Sequence, residues 1–283
     1  MRQHSAIVLF CLLIAALLLS VPAPTPAAAA EAPPLYICDA SEEFTEIILR
    51  LVGERKEYFR IALPKTLPEA NGKGTEQLKS ILQKDSGMIR WGHRGTGVKK
   101  IKINDYVVFD YVLTYHTTQE QDDAARKLAA GIVSNGDLRD LSDREKVEWV
   151  GRYISDHWRY DDTLNNRTAY AALRSQKGTC LGLTSACQFL LNEMDIPSQT
   201  VHGKLTQTNQ LHIRLLVKQG DWWYVLDPTH IAREKPDLSV FLKTSHGKQF
   251  VPETEYLTAS FRRIHPMSAE DLSAAESEGN DAA

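Results

Sequence analysis

GTCLGLTSACQFLLNEMDIPSQTVHG, residues 178–203, decides how this chain is read. Gly178-Thr179 is a turn that opens a helix. From Cys180 the apolar positions run Leu183, Cys187, Leu190 and Met194, with Ala186, Phe189 and Leu191 widening the stripe. Spacing of three and four is that of a buried helix face. Asp195-Ile196-Pro197 ends it, because proline cannot continue a helix. Cys180 therefore falls in the first turn and Cys187 two turns further in. The first turn carries unpaired backbone N–H groups and partial positive charge, and both favour a thiolate over a thiol. Neither effect reaches Cys187. Three roles stay open for the two cysteines at this stage: half of a disulfide pair, part of a metal site, or a nucleophile with a bystander.

Counting narrows the choice. The chain has 283 residues and four cysteines. One, Cys11, lies in the apolar run Ala6 to Val21, which follows Arg2 and precedes the small residues Ala27 to Ala30. That is the pattern of a secretory signal peptide, with cleavage expected after Ala30 and an uncleaved anchor as the alternative. The expectation is a secreted or cell-envelope protein that meets the membrane only through an uncleaved leader. Cys38, Cys180 and Cys187 remain, an odd number, so at least one exported thiol is unpaired. No C-x-x-C or H-E-x-x-H spacing and no D-x-D-x-D-G loop appears, so no metal and no cofactor is invoked. A net charge of −3 offers nucleic acid no basic surface. The segment 267–283 is small, acidic and expected to be disordered.

Four segments follow: signal peptide 1–30, a small α/β region 31–140, a core domain 141–266, and the tail. In the first region, Tyr58 to Leu63 is a strand, a helix covers about Gly74 to Gln83, and Val98 to Ile103 with Tyr106 to Tyr115 form a hairpin across Asn104-Asp105. Gln119 to Val133 is an amphipathic helix. His93 and His116 are lone histidines with surface or packing roles. In the second, Ser142-Asp143-Arg144-Glu145 is a capping box opening a helix to Trp158. RYDD (159–162) follows, then a short helix from Thr168 to Arg174.

A thiolate nucleophile needs a base, and the base an orienting group. LHIRLLV (211–217) and DWWYVLDPTH (221–230) read as a β-hairpin. A four-residue loop, Lys218 to Asp221, pairs Val217 with Trp222 and sets His212 opposite Asp227. A two-residue loop keeps them on one face as diagonal neighbours, whereas a three-residue loop separates them. A joint role for the two thus requires an even loop. Asp227 before Pro228-Thr229 can also be a turn residue alone.

These stretches, with YISDHWRYDD and TAYAALRSQKGTC ahead of them, resemble the core of the transglutaminase-like superfamily, of bacterial exported type, over about residues 141–230. The resemblance implies an α+β fold. In it a papain-like core packs the nucleophile helix on an antiparallel sheet, preceded by a small α/β domain. It also implies Cys180 as nucleophile, His212 as base and Asp227 as orienter, acting by acyl transfer or hydrolysis on amide bonds of a protein or peptide, cell-wall peptide included. The Cys180 backbone N–H is one oxyanion donor, with Tyr160 or Trp158 as a second. Two places depart from the family: Ile213-Arg214 where Ala-Trp is common after the histidine, and His230 where many members have an aromatic. An inactive binding or scaffold module and a cell-wall cysteine peptidase of another papain-like family are the competing readings.

Overall fold

The computed structural model describes residues 33–84, 92–236 and 248–267. The expected leader and all of the acidic tail except Met267 lie outside them. From Leu35 onward the described residues belong to one compact body built around separate hydrophobic cores.

The first core lies under a four-stranded sheet of order β1-β2-β4-β3. Its strands are β1 (Leu35–Ile37), β2 (Tyr58–Pro64), β3 (His93–Ile103) and β4 (Tyr106–Tyr115). Helices α1 (Ser41–Gly53) and α2 (Gly74–Lys84) supply Phe44, Ile48, Leu51 and Leu78 to it. The strands supply Phe59, Ile61, Phe109 and Tyr111. Asn104 takes a positive φ of 45° in the expected β3–β4 turn, a conformation asparagine tolerates. Cys38 is buried here as a free thiol.

The second core is helical. Helix α3 (Gln119–Ser134) puts Ala125 and Ala129 into it. Helix α4 (Asp143–His157) adds Val147, Val150 and Ile154. The Ser142 cap forms as read: its Oγ accepts from the Glu145 N–H, and the Glu145 carboxylate accepts from the Ser142 N–H at 2.8 Å. Short strands β5 (Arg159–Tyr160) and β6 (Lys177–Gly178) pair in parallel around α5 (Ala169–Ser175). They lead directly into α6 (Cys180–Asn192).

Helix α6 differs from the expected stripe, since every residue from Gly182 to Leu191 is buried. It is the centre of the core. Its polar residues survive burial because they are partnered: Thr184 Oγ1 donates to the Ile213 carbonyl, Ser185 Oγ to that of Leu181, and Gln188 to that of Ser198. The helix packs Leu183, Cys187 and Leu190 with Leu215, Val217 and Leu226 of the second sheet, whose order is β10-β7-β8-β9. Those strands are β7 (Ser198–Leu205), β8 (Leu211–Gln219), β9 (Trp222–Leu226) and β10 (Phe250–Pro252). A third cluster, including Val201, Leu216, Trp223, Val225, Phe250 and Tyr256, involves residues of alternate parity in β8. All strand pairs of this sheet are antiparallel, so the fold is α+β with the cysteine helix on an antiparallel sheet, as expected. Helix α7 (Pro228–Glu234) follows β9, and α8 (Ala259–Ile264) comes near the end of the described chain.

Candidate active site

Cys180 is the first residue of α6 and is partly exposed. Its position is held from both sides. Thr179 caps the helix, its hydroxyl accepting from the Gly182 N–H. The Thr179 N–H donates to the Asn166 carbonyl at 2.9 Å. That carbonyl presses on the helix so closely that a Cβ on Gly182 would overlap it. The Asn166 loop is in turn fixed by Asp161, which is 1% exposed. Its carboxylate accepts from the hydroxyl and N–H of Thr163 and from the N–H groups of Asn165 and Asn166, and it meets Lys177 at 3.3 Å. The Thr163 hydroxyl bond first, then the Asn166 N–H, hold this carboxyl far below the usual carboxylate range. Sequence reading took RYDD only as a lead-in and missed Asp161.

The β8–β9 loop is even, with two residues, Gly220-Asp221; the four-residue version does not form. Gln219 pairs with Trp222 and Leu215 with Leu226. Gly220 takes φ +61°, the left-handed region that tight hairpin turns need. Continued by one step, this register sets Arg214 opposite Asp227 and leaves His212 as the diagonal neighbour. Both reach the carboxylate. His212 Nε2 lies 2.9 Å and Arg214 Nε 2.8 Å from Asp227 Oδ2. Oδ1 caps α7, accepting from the Thr229 and His230 N–H groups at 3.1 Å each. Arg214 was noticed in the sequence only as a departure from the family pattern.

His212 is 8% exposed. Burial alone would push its imidazole down. The Asp227 hydrogen bond, a hydrogen bond with the Cys180 side chain and the charges of both outweigh burial, raising His212 from 6.5 to about 9. Burial would push the Asp227 carboxyl up, but the hydrogen bond and charge of His212, then Arg214, then the His230 N–H hold it below its ordinary value. An ionised carboxylate only accepts, so Nε2 carries the hydrogen directed at Asp227. Nδ1 is then the ring nitrogen available to Cys180. The three residues singled out in the sequence thus meet in one place.

Cys187 has no part in this cluster: it is fully buried and free, and burial drives its thiol strongly upward. Trp158 is wholly buried, and its indole N–H has no hydrogen-bond partner among the described residues. Tyr160, half-buried, pairs with Gly178 two residues before Cys180, and the Arg233 guanidinium lies 3.7 Å from its ring centroid. His230 is exposed beside the site. Among the described residues, no helix is long and apolar enough to cross a membrane, and no group of three His, Cys, Asp or Glu side chains is placed to hold a metal ion.

No curated protein matches the chain. Among solved structures, it is similar to a TGase at 16% identity, over 70% of this chain and 59% of that one, with a TM-score of 0.36. It is also similar to a candidate cysteine protease from Cytophaga hutchinsonii (11% identity, 48% of this chain, 63% of that one, TM-score 0.33). A third is a candidate protease from Parabacteroides distasonis (9%, 61%, 43%, 0.27). The chain spans less than two thirds of each. The family comparison is more direct, since the matched segment runs from within α3, through Cys180 and His212, to the residue after Asp227. Residues 126–228 of this chain match the transglutaminase-like superfamily.

Proposed function

We propose that this protein is an exported thiol enzyme that transfers or hydrolyses acyl groups at amide bonds of proteins or peptides, with Cys180, His212 and Asp227 as its triad. One observation carries this reading: a cysteine at a helix start shares a buried histidine with an ionised aspartate. The reactive form is the pair of a Cys180 thiolate and a His212 imidazolium, the latter raised to about 9. Sγ attacks the amide carbon, a C–S bond forms, and the carbonyl electrons move to oxygen. The Cys180 N–H, which no residue of its own helix accepts, faces that oxyanion. The C–N bond then breaks as Nδ1 gives its proton to the leaving amine. Water, or a second amine, next loses a proton to Nδ1 while attacking the thioester carbon, and the thiolate departs. The first outcome is proteolysis or deamidation and the second is cross-linking. Cell-wall peptide is one substrate within this class.

The test starts with the thiol. Cys180 in the intact protein should react with iodoacetamide well below pH 8, and His212→Ala should abolish that reaction. Peptide and peptidoglycan substrates, incubated with and without a primary amine and read by mass spectrometry, then distinguish cleavage, deamidation and amine incorporation. Equal, slow alkylation of Cys180 and Cys187 would sink the reading and leave a binding module.

A further inference from the structure

Asp227 Oδ2 is shared. Besides His212 it accepts from Arg214, whose side chain is only 12% exposed, as is that of Asp227. A buried guanidinium at a triad carboxylate calls for a reason, since taking both charges out of water is costly unless their geometry is good. The other side of this guanidinium faces an aromatic ring, with Phe250 centred 4.6 Å from Cζ. The same ring meets His212 edge-on, centroids 6.0 Å apart at 78°. Phe250 belongs to β10, beyond the segment that matches the family. It can lie over His212 because the intervening residue of β7, paired with His212, is Gly203. A Cβ there would lie 2.5 Å from Phe250 Cζ. Glycine is used at this position for close approach.

We propose that Arg214, clamped between the Asp227 carboxylate and the face of Phe250, is a positioning residue that keeps Asp227 ionised and orients His212 toward Cys180. This rests on the triad reading above. The charged groups acting on His212 or on Asp227 are Cys180 from α6, Arg214 from β8 and the two triad partners themselves. β7 brings Gly203 and β10 brings Phe250, neither charged. The fixed positive charge favours the Cys180 thiolate and opposes the His212 imidazolium. Removing it therefore moves both limbs of a pH–reactivity profile the same way, upward. Loss of packing alone would lower the rate without moving the limbs.

The experiment follows iodoacetamide modification of Cys180 in the full-length protein from pH 4 to 10, by peptide mass spectrometry, and needs no substrate. In Arg214→Gln, both limbs should move up by about half to one pH unit, as expected for a charge one neighbour removed from the titrating pair. Arg214→Lys keeps the charge and should leave both limbs in place while slowing the reaction. Should Arg214→Gln not fold, Phe250→Leu frees one face of the guanidinium and should shift both limbs in the same direction by less. Limbs unmoved in every folded variant, or moved apart, overturn the proposal. A parent protein whose Cys180 reactivity ignores His212→Ala overturns the triad reading instead.

Discussion

Gly182→Ala sets two effects of opposite sign against each other. Replacing a helix glycine by alanine ordinarily stabilises by about 0.5–1 kcal/mol. Here the new Cβ would overlap the Asn166 carbonyl oxygen and lie 3.3 Å from its carbon. The obstacle is backbone, held by the Thr179 N–H at 2.9 Å and, one atom group away, by Asp161. It cannot swing aside as a side-chain end could. Forced overpacking costs about 1–3 kcal/mol, and losing the Thr179 bond about 0.5–1.5 kcal/mol more. The contact therefore outweighs the propensity, with a net loss of about 2 kcal/mol. For a chain of this size that lowers Tm by about 4–8 °C, readable by calorimetry. The displaced loop borders Cys180, so alkylation of its thiol should also slow. The penalty should shrink in an Asp161→Ala background, where the loop is free to retreat. A Gly182→Ala protein as stable as its parent, with Cys180 equally reactive, would show that the Asn166 loop does not clamp the helix.

Other expectations follow from the charges. His212 has its folded value raised from 6.5 to about 9, so it contributes stability below about pH 6.5 that is lost as pH rises through 9. Its NMR titration in Cys180→Ala should move down, because two of the raising causes vanish while burial remains; an unchanged midpoint would mean that Cys180 does not touch it. Asp161 has a depressed value, so its contribution is present above the ordinary carboxylate value and is lost as pH falls below it. Asp161→Asn should therefore flatten the acid side of the stability–pH curve, and an unaltered acid limb contradicts this. Arg55 and Asp122 form a buried ion pair with side chains 9% and 10% exposed, tying the turn after α1 to α3. Arg55→Met should cost about 3–5 kcal/mol by stranding Asp122, and Arg55→Met with Asp122→Leu markedly less; urea unfolding of the three variants decides it.

What the sequence made legible was local. The Ser142–Glu145 box could be read because both partners lie within one turn. The even hairpin loop could be narrowed because strand parity leaves few choices. The helix that opens at Cys180 could be bounded by Thr179 and Pro197. What escaped was long-range. Arg214 follows from the register, yet the four-residue loop put His212 opposite Asp227 and hid it; a two-residue turn at Gly220 would have exposed it. The all-round burial of α6 escaped because Thr184, Ser185 and Gln188 look like solvent residues until their carbonyl partners are known. Asp161 gave no sign that it organises a loop. Phe250 arrives on a strand whose pairing no local pattern announces.

Asp227 shows why a structural reading and a functional one need not compete. Before Pro228-Thr229, an aspartate is a good helix cap, and Oδ1 does that work for α7. Two backbone N–H bonds to one oxygen fix the carboxylate plane. The second oxygen then points across to β8, where the two-residue turn has set Arg214 opposite and His212 diagonal. A carboxylate held only by His212 would be free to rotate about its χ angles, and the imidazole would follow it. Capping removes that freedom from one side, and Arg214 removes it from the other. The helix cap is thus the reason the carboxylate can serve a histidine at all, and helix α7 orients the site through it.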